Sequence, residues 1–141
     1  TADGRVKVMD FGLAKVVDAG KGPLTGSGAV LGTAPYMSPE QADGQSAKLD
    51  RRSDVYQLGA ILYELLCGHP PYEGGGSVEI ILRILSGETP TPPRQWDPAI
   101  DEEAQQICLT AMAQDPDRRY PSAGELAADC ARWEAGQPPE A

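Results

Sequence analysis

Positive charge is scarce in this sequence. Its 141 residues include 12 lysines and arginines against 21 aspartates and glutamates, which gives a formal net charge of −9 at pH 7. A surface that binds nucleic acid normally carries a basic patch, and docking on anionic lipid needs basic clusters as well. The charge therefore argues against both kinds of partner and predicts an acidic protein that binds no nucleic acid.

Long apolar runs and cysteines are also few. The most apolar stretch, residues 61–67, is interrupted by Glu64 and is much shorter than the roughly 20 residues that a membrane-spanning helix needs. The sequence thus predicts no membrane segment in this part of the protein. Cys67 and Cys108 fall within apolar helical patterns, so we expect buried thiols rather than a disulfide or a metal site. This fits a reducing cytoplasm, and a membrane anchor elsewhere in a longer protein stays open.

Aromatic residues make up only 6% of the chain, and its single phenylalanine lies in the tripeptide Asp10-Phe11-Gly12. Alternating apolar residues predict a short strand over residues 5–9 just before it. A carboxylate at a strand end can offer two oxygens to a hard cation such as Mg²⁺, and glycine lets the backbone turn away. Taken alone, such a tripeptide is more often an ordinary exit from a strand.

A glycine-rich segment with hydroxyl side chains, residues 16–31, follows the tripeptide. It has little periodicity and cannot bury much apolar surface, so we expect it to be mobile unless another part pins it. The segment leads into the sequence Gly32-Thr33-Ala34-Pro35-Tyr36-Met37-Ser38-Pro39-Glu40. A carboxylate, a hydroxyl-bearing loop and a Pro-Glu stop together suggest a metal-phosphate site that is coupled to a switch.

The rest of the chain has helical patterns. Five helices are predicted: a short one that Ser38 caps and Asp43-Gly44 ends, and longer ones over residues 53–67, 78–87, 101–114 and 122–133. Ser53 and Ser122 are the expected N-caps of the second and the last of these helices. Residues 89–98 contain four prolines and are expected to form an extended connector.

The apolar residues in these helices predict which faces are buried. In residues 53–67 much of the circumference is apolar, which predicts a helix in the middle of a domain. Its expected stripe is Val55, Leu58, Leu62 and Leu65, widened by Ile61 and Leu66. The expected inward residues of the next and the last helix are Val78, Ile81, Leu82 and Leu85, and Leu126, Ala127 and Cys130.

The order of the motifs, more than any single one, points to a family. Asp10-Phe11-Gly12, Gly32-Thr33 and Tyr36-x-x-Pro39-Glu40 are followed by Arg52-Ser53-Asp54-Val55-Tyr56 and by Asp115-Pro116-Asp117-Arg118-Arg119. This ordered set resembles the C-terminal lobe of a serine/threonine protein kinase of the bacterial, eukaryotic-like type. The resemblance implies a truncated α+β protein-kinase-like fold, with a mainly α-helical C-lobe and a remnant β-hairpin strand. Residues 1–134 would be a partial kinase domain, and residues 135–141 a disordered tail.

The resemblance also implies roles for residues in the opening stretch. Asp10 would bind the Mg²⁺ that bridges the phosphates of ATP, with Phe11 and Gly12 completing this cofactor-binding turn. Thr25 and Ser27 occupy the place where such kinases are phosphorylated, although simple loop solubility explains these hydroxyls equally well. A phosphate there would add about −1.5 to −2 charges and could order the loop by pairing with arginine.

Further residues would contact the acceptor protein or support the fold. Thr33, Pro35 and Tyr36 would shape the docking site for a protein substrate that carries Ser or Thr. Glu40 would pair with Arg119 and tie the activation segment to the last helices. Asp54 would hold the backbone of the catalytic loop by hydrogen bonds.

Several parts of the phosphoryl-transfer machinery are not in these 141 residues. No glycine-rich phosphate-binding loop, strand lysine or His-Arg-Asp loop precedes Asp10. The catalytic aspartate is expected upstream of Thr1, and the missing N-lobe of the same protein would be a necessary partner. We therefore expect a larger kinase to be active with ATP and Mg²⁺ and this fragment alone to be inactive. The alternative is a pseudokinase or a helical protein-interaction module without catalysis.

Overall fold

The computed structural model describes residues 34–44 and 48–140. Within these ranges the chain is helical and contains no strand, as the mainly α-helical C-lobe predicts. The α-helices are α1 Pro39–Ala42, α2 Arg51–Cys67, α3 Ser77–Leu85, α4 Pro93–Trp96, α5 Glu102–Ala111 and α6 Ala123–Glu134. Two short 3-10 turns cover Ala34–Tyr36 and Pro116–Arg118. The strand and the glycine-rich loop predicted from the sequence lie outside the described residues.

Helix α1 begins where the sequence predicts. The Ser38 hydroxyl accepts from the Gln41 backbone N–H, and the Gln41 side chain accepts from the Ser38 backbone N–H, which completes a capping box. Pro39 occupies the first turn, where a missing N–H costs nothing. The helix ends after one turn because Gly44 adopts a positive φ of 67°.

Helix α2 begins two residues earlier than predicted. Its N-cap is Asp50, whose carboxylate accepts from the Arg52 backbone N–H at 2.7 Å. Ser53, expected to be the cap, lies inside the first turn and is buried. The prediction was wrong because both residues are good caps, and the sequence alone does not say which hydroxyl or carboxylate has another partner. The helix ends at Gly68, which takes the left-handed conformation.

The buried face of α2 contains only part of the predicted stripe: Val55 is fully buried, and Leu62 and Leu66 are partly buried against the core. Leu58, Ile61 and Leu65 are exposed to 39%, 48% and 78%, whereas small and aromatic residues form the buried face. The buried apolar residues of α2 are Val55, Tyr56, Ala60 and Tyr63. Aliphatic periodicity did not identify the whole buried face for two reasons. Helix α5 crosses α2 at its small residues, and tyrosines are not counted among the aliphatic positions although they are buried here.

Helix α3 also turns a different face inward. Ile80, Ile81 and Ile84 are buried, while Val78, Leu82 and Leu85, three of the four predicted positions, are exposed. Glu79 and Arg83 mark the polar side of α3, but apolar residues cover most of the remaining circumference, so the pattern does not say which of them are buried. Packing against Tyr72 and the small residues Ala34 and Ala42 selects the buried face.

The last three helices close the fold. Helix α4 is a single turn within the region predicted to be extended, and α5 packs on both α2 and α6. Ser122 caps α6 as predicted, accepting from the Glu125 backbone N–H. On α6 Leu126 is buried, but Ala127 is exposed, and the buried polar residue is Asp129. Asp129 is buried because its carboxylate accepts from the Tyr120 hydroxyl at 3.0 Å.

The segment after α6 folds back on this helix. The backbone N–H of Glu140 donates to the two carboxylate oxygens of Asp129 at 2.9 and 3.0 Å. The Glu140 carboxylate also pairs with Arg132. The disordered tail over residues 135–141 stays a prediction, to be weighed against these contacts of Glu140.

The contact between α2 and α5 yields a stability prediction. A Cβ atom added at Gly59 would lie 2.7 Å from the Ala111 Cβ and 2.8 Å from the Met112 Cγ. We expect Gly59→Ala to lower the free energy of unfolding by roughly 1–3 kcal/mol, although alanine is the better helix former. Urea unfolding of the chain measures this change.

Gly124→Ala in the first turn of α6 is the matched control. An added Cβ there meets only the Ser122 Oγ at 3.5 Å, which is an ordinary contact. We expect this variant to be neutral or more stable by up to about 1 kcal/mol. Equal stability of the two variants would show that α2 and α5 do not approach each other this closely.

Candidate functional site

The 3-10 turn Ala34–Tyr36 lies between α2 and α3 and contacts both helices. Ala34 is fully buried there, and Pro35 and Tyr36 are half-buried. Pro35 and Tyr36, which the sequence predicts to shape the docking site, are therefore partly exposed on a turn that α2 and α3 support. Thr33, the third of them, lies outside the described residues.

A short hydrogen bond fixes the Tyr36 side chain. Its hydroxyl donates to the Glu64 carboxylate on α2, with 2.6 Å between the oxygens. This hydrogen bond, with some burial and the nearby negative charge, raises the pKa of Tyr36 above its ordinary value. Tyr36 therefore stays protonated as a donor, and its side chain packs against the core cluster that contains Tyr56, Ala60 and Tyr63.

The Glu40 carboxylate and the Arg119 guanidinium form a buried, bidentate ion pair. The Nη1–Oε1 and Nη2–Oε2 distances are 2.8 and 3.0 Å. The side chains are 7% and 0% exposed, respectively. Glu40 lies in α1, and Arg119 directly follows the 3-10 turn Pro116–Arg118. The pair therefore joins two residues that are 79 positions apart in sequence.

Neighbouring groups satisfy the remaining donors of the Arg119 guanidinium. Its Nε donates to the Ala113 carbonyl at 2.7 Å, and its two terminal nitrogens reach the carbonyls of Arg52 and Gln114 at 3.0 and 3.2 Å. The guanidinium carbon lies 5.0 Å from the centre of the Tyr56 ring, within cation–π distance. This cation is thus fully coordinated, which a buried charge needs in order to be stable.

The Glu40 carboxylate receives a third donor from α2. The Ser53 hydroxyl donates to Oε1 at 2.6 Å. Burial by itself raises the pKa of Glu40, but the hydrogen bonds from Arg119 and Ser53 outweigh it and lower the pKa to about 2. Glu40 is therefore ionised throughout the range in which the protein would function.

The remaining predicted residues do not join this cluster. Asp54 lies in the first turn of α2 and is exposed, so its support of a catalytic loop stays a prediction. The metal and phosphorylation candidates, Asp10, Phe11, Gly12, Thr25 and Ser27, lie outside the described residues. In ranges 34–44 and 48–140, no group of histidine, cysteine, aspartate and glutamate residues could hold a metal ion.

Sequence reasoning missed four residues of this region. Ser53 was read as a cap, and Glu64 only as an interruption of an apolar run. The other two are Gln41 and Gln57. The Nε2 atom of Gln57 donates a hydrogen bond to the Oε1 atom of Gln41 at 3.0 Å. One signal was available: Ser53, Gln57 and Glu64 are separated by four and seven residues, which places them on one face of a helix.

Loss of the Glu40 charge should be costly because it leaves the Arg119 guanidinium buried without a counter-charge. We expect Glu40→Gln to lower the free energy of unfolding by about 3–5 kcal/mol. Urea unfolding followed by circular dichroism measures this, and complete unfolding without urea would agree with it. The control is Glu102→Gln, which breaks the exposed pair with Arg94 and should cost at most about 1 kcal/mol. Similar losses in both variants would contradict this account.

The lowered pKa of Glu40 gives the ion pair a defined pH dependence. Because the folded state holds this carboxyl at a pKa of about 2, below its ordinary 4.5, the pair stabilises the fold above pH 4.5. This stabilisation, on the order of 3 kcal/mol, should be lost as the pH falls from about 4.5 to about 2. The difference in unfolding free energy between the parent chain and Glu40→Gln should shrink over that range. A constant difference would contradict it.

No helix in the described part of the chain is both long and apolar enough to cross a membrane.

Residues 1–129 of this chain match the family described as the protein kinase domain. Serine/threonine-protein kinase PknB of Mycobacterium leprae is 45% identical over 141 residues, which are 100% of this chain and 22% of that protein. PknB of Mycobacterium tuberculosis is 43% identical with the same coverage. A probable serine/threonine-protein kinase of Streptomyces coelicolor is 44% identical over 138 residues, 98% of this chain and 20% of that protein. This chain spans about a fifth of the length of these relatives, and it belongs to the protein kinase domain family.

Proposed function

We propose that this chain is the helical lobe and activation segment of an enzyme that transfers the γ-phosphoryl group of ATP to serine or threonine of proteins. The observation that carries the proposal is the buried Glu40–Arg119 pair. It holds α1, which follows directly after Pro35 and Tyr36, the residues predicted to dock the acceptor. The relatives' names, serine/threonine-protein kinases, support the same reaction.

The described residues would serve the acceptor side of this reaction. Phosphoryl transfer depends mostly on positioning and electrostatics, so a rigidly held acceptor lowers the barrier. Thr33, Pro35 and Tyr36 would bind the peptide around the acceptor hydroxyl. Glu40 and Arg119 would keep that surface at a fixed distance from the catalytic groups.

Residues that precede the turn Ala34–Tyr36 would bind the nucleotide. Asp10 would hold Mg²⁺ and, with Phe11 and Gly12, form part of the ATP site. When bound, the metal ion neutralises developing charge on the phosphates. Phosphorylation of Thr25 or Ser27 would regulate the loop between the two sides. Cytoplasmic ATP would supply the reaction, in agreement with the cytoplasmic location predicted from the sequence.

A phosphotransfer assay on the full-length protein that contains this chain tests the proposal. With Mg²⁺ and radiolabelled ATP, we expect label on serine or threonine of the kinase itself and of casein as acceptor. Asp10→Asn should lower the rate by roughly 100-fold or more, because the carboxylate that would hold the charge-neutralising Mg²⁺ is lost. The matched control Glu103→Gln, which changes an exposed carboxylate on α5, should keep the parent rate.

Two outcomes would contradict the proposal. Binding of Mg-ATP without transfer would identify a pseudokinase, and neither binding nor transfer would favour a helical protein-interaction module. The 141-residue chain by itself should transfer no phosphate above the level without enzyme. Its sequence contains neither the group that would take the proton from the acceptor hydroxyl nor the loop that would cover the phosphates.

A further inference from the structure

The chain turns back sharply after α6, so that residues 136–140, which we call the strap, contact this helix again. Gly136 adopts a positive φ of 70°, which glycine tolerates best. Its N–H donates to the Trp133 carbonyl at 2.9 Å, and the N–H of Gln137 donates to the Arg132 carbonyl at 2.8 Å. These two bonds form a Schellman motif, which ends α6 and reverses the chain. Two prolines follow, and their fixed φ angles reduce the entropy that the strap loses when it docks.

The strap docks on a buried carboxylate. The Glu140 backbone N–H donates to both carboxylate oxygens of Asp129, at 2.9 and 3.0 Å. Asp129 is only 3% exposed, and a buried charge is stable only when hydrogen-bond donors surround it. Arg132 adds to the contact, because its Nε lies 3.7 Å from the Asp129 Oδ1 while its guanidinium pairs with the Glu140 carboxylate. Release of the strap would therefore remove a backbone donor from a buried charge.

The same carboxylate also contacts the residue next to the buried ion pair. It accepts from the Tyr120 hydroxyl at 3.0 Å. Tyr120 is 6% exposed and belongs to an apolar cluster with Val55. It directly follows Arg119, whose guanidinium binds the Glu40 carboxylate. A continuous series of contacts thus runs from the strap through Asp129 and Tyr120 to the ion pair.

We propose that the strap is a conformational switch that sets how firmly Arg119 holds Glu40. The docked strap keeps the Asp129 carboxylate on the Tyr120 hydroxyl, which fixes the backbone that carries Arg119. Displacement of the strap loosens this backbone and, through the ion pair, residues 34–42, while the core stays folded. The strap lies beyond residues 1–129, which match the protein kinase domain, so the family match assigns it no role.

Hydrogen exchange of the full-length protein, followed by mass spectrometry, tests this coupling in the variant Glu140→Pro. Proline has no N–H, so the variant removes the two bonds to Asp129. Because these bonds end on a charged group, we expect exchange in the second half of α6 to become about ten-fold faster. Exchange over residues 34–43 should become about three-fold faster through the ion pair. Exchange over residues 60–67 in the middle of the core should stay at the parent rate.

Glu140→Gln is the matched control. It keeps the backbone N–H and changes only the exposed carboxylate that pairs with Arg132. An exposed pair contributes little, so exchange in every peptide should stay within about two-fold of the parent rate. Equal acceleration by proline and glutamine would contradict the role of the N–H.

Tyr120→Phe tests the middle of the series of contacts, because it removes the hydroxyl that donates to Asp129 and keeps the ring. In this background Glu140→Pro should still speed exchange in α6, but it should no longer change exchange over residues 34–43. An effect over residues 34–43 that persists in the Tyr120→Phe background would contradict the proposed route.

Two further results would overturn the proposal. Exchange over residues 34–43 that is unchanged in Glu140→Pro would show that the strap acts only on α6. Equal acceleration over residues 34–43 and 60–67 would show a loss of overall stability instead of a switch. The measurement needs neither ATP nor an acceptor, so it is decided separately from the proposed function. An inactive protein with the expected exchange pattern would contradict the kinase proposal alone.

Discussion

The buried ion pair between Glu40 and Arg119 is the interaction on which the other described contacts depend. Desolvating two charges is expensive, and the cost is offset here only because every major donor has an acceptor. Arg119 reaches three backbone carbonyls as well as Glu40, and Ser53 completes the carboxylate. The pair therefore connects α1, the start of α2 and the residues between α5 and α6 at one point. These are distant parts of the sequence, and within the described residues no apolar cluster joins all of them.

Helix α2 contacts both the apolar core and residues 34–42. One side of the helix packs through Val55 against α5 and α6, and another, through Tyr56 and Ala60, is part of a second cluster with Cys108. Gly59 permits the close approach of α5. The polar side of the same helix bonds to residues 34–42. A central helix with an apolar side, and with Ser53, Gln57 and Glu64 as hydrogen-bonding groups on another side, is suited to holding residues 34–42 against the core.

Local chemistry made some of this fold predictable. Ser38-Pro39 and Ser122 begin helices as their side chains predict, because capping depends on a few adjacent residues. The Glu40–Arg119 pair was expected from the family resemblance, and the structure contains it. Apolar periodicity predicted the existence of α2 and α3 but only part of their buried faces, such as Val55 and Ile81. The faces depend on which neighbours come close, as the exposure of Leu65 and Leu82 and the burial of Tyr63 show. The spacing of Ser53, Gln57 and Glu64 places them on one face of α2, but their hydrogen-bond partners could not be predicted, since they lie 13 to 28 residues away.

The central claim is that Glu40 and Arg119 act as one unit that holds residues 34–42 to the helices. A double-mutant cycle with Glu40→Gln, Arg119→Met and the double variant measures their coupling directly, through the unfolding free energies of the four proteins. The account predicts that the double variant is more stable than the sum of the single losses implies, with a coupling energy of about 2 kcal/mol or more. Additive losses, with a coupling energy within about 0.5 kcal/mol of zero, would contradict it.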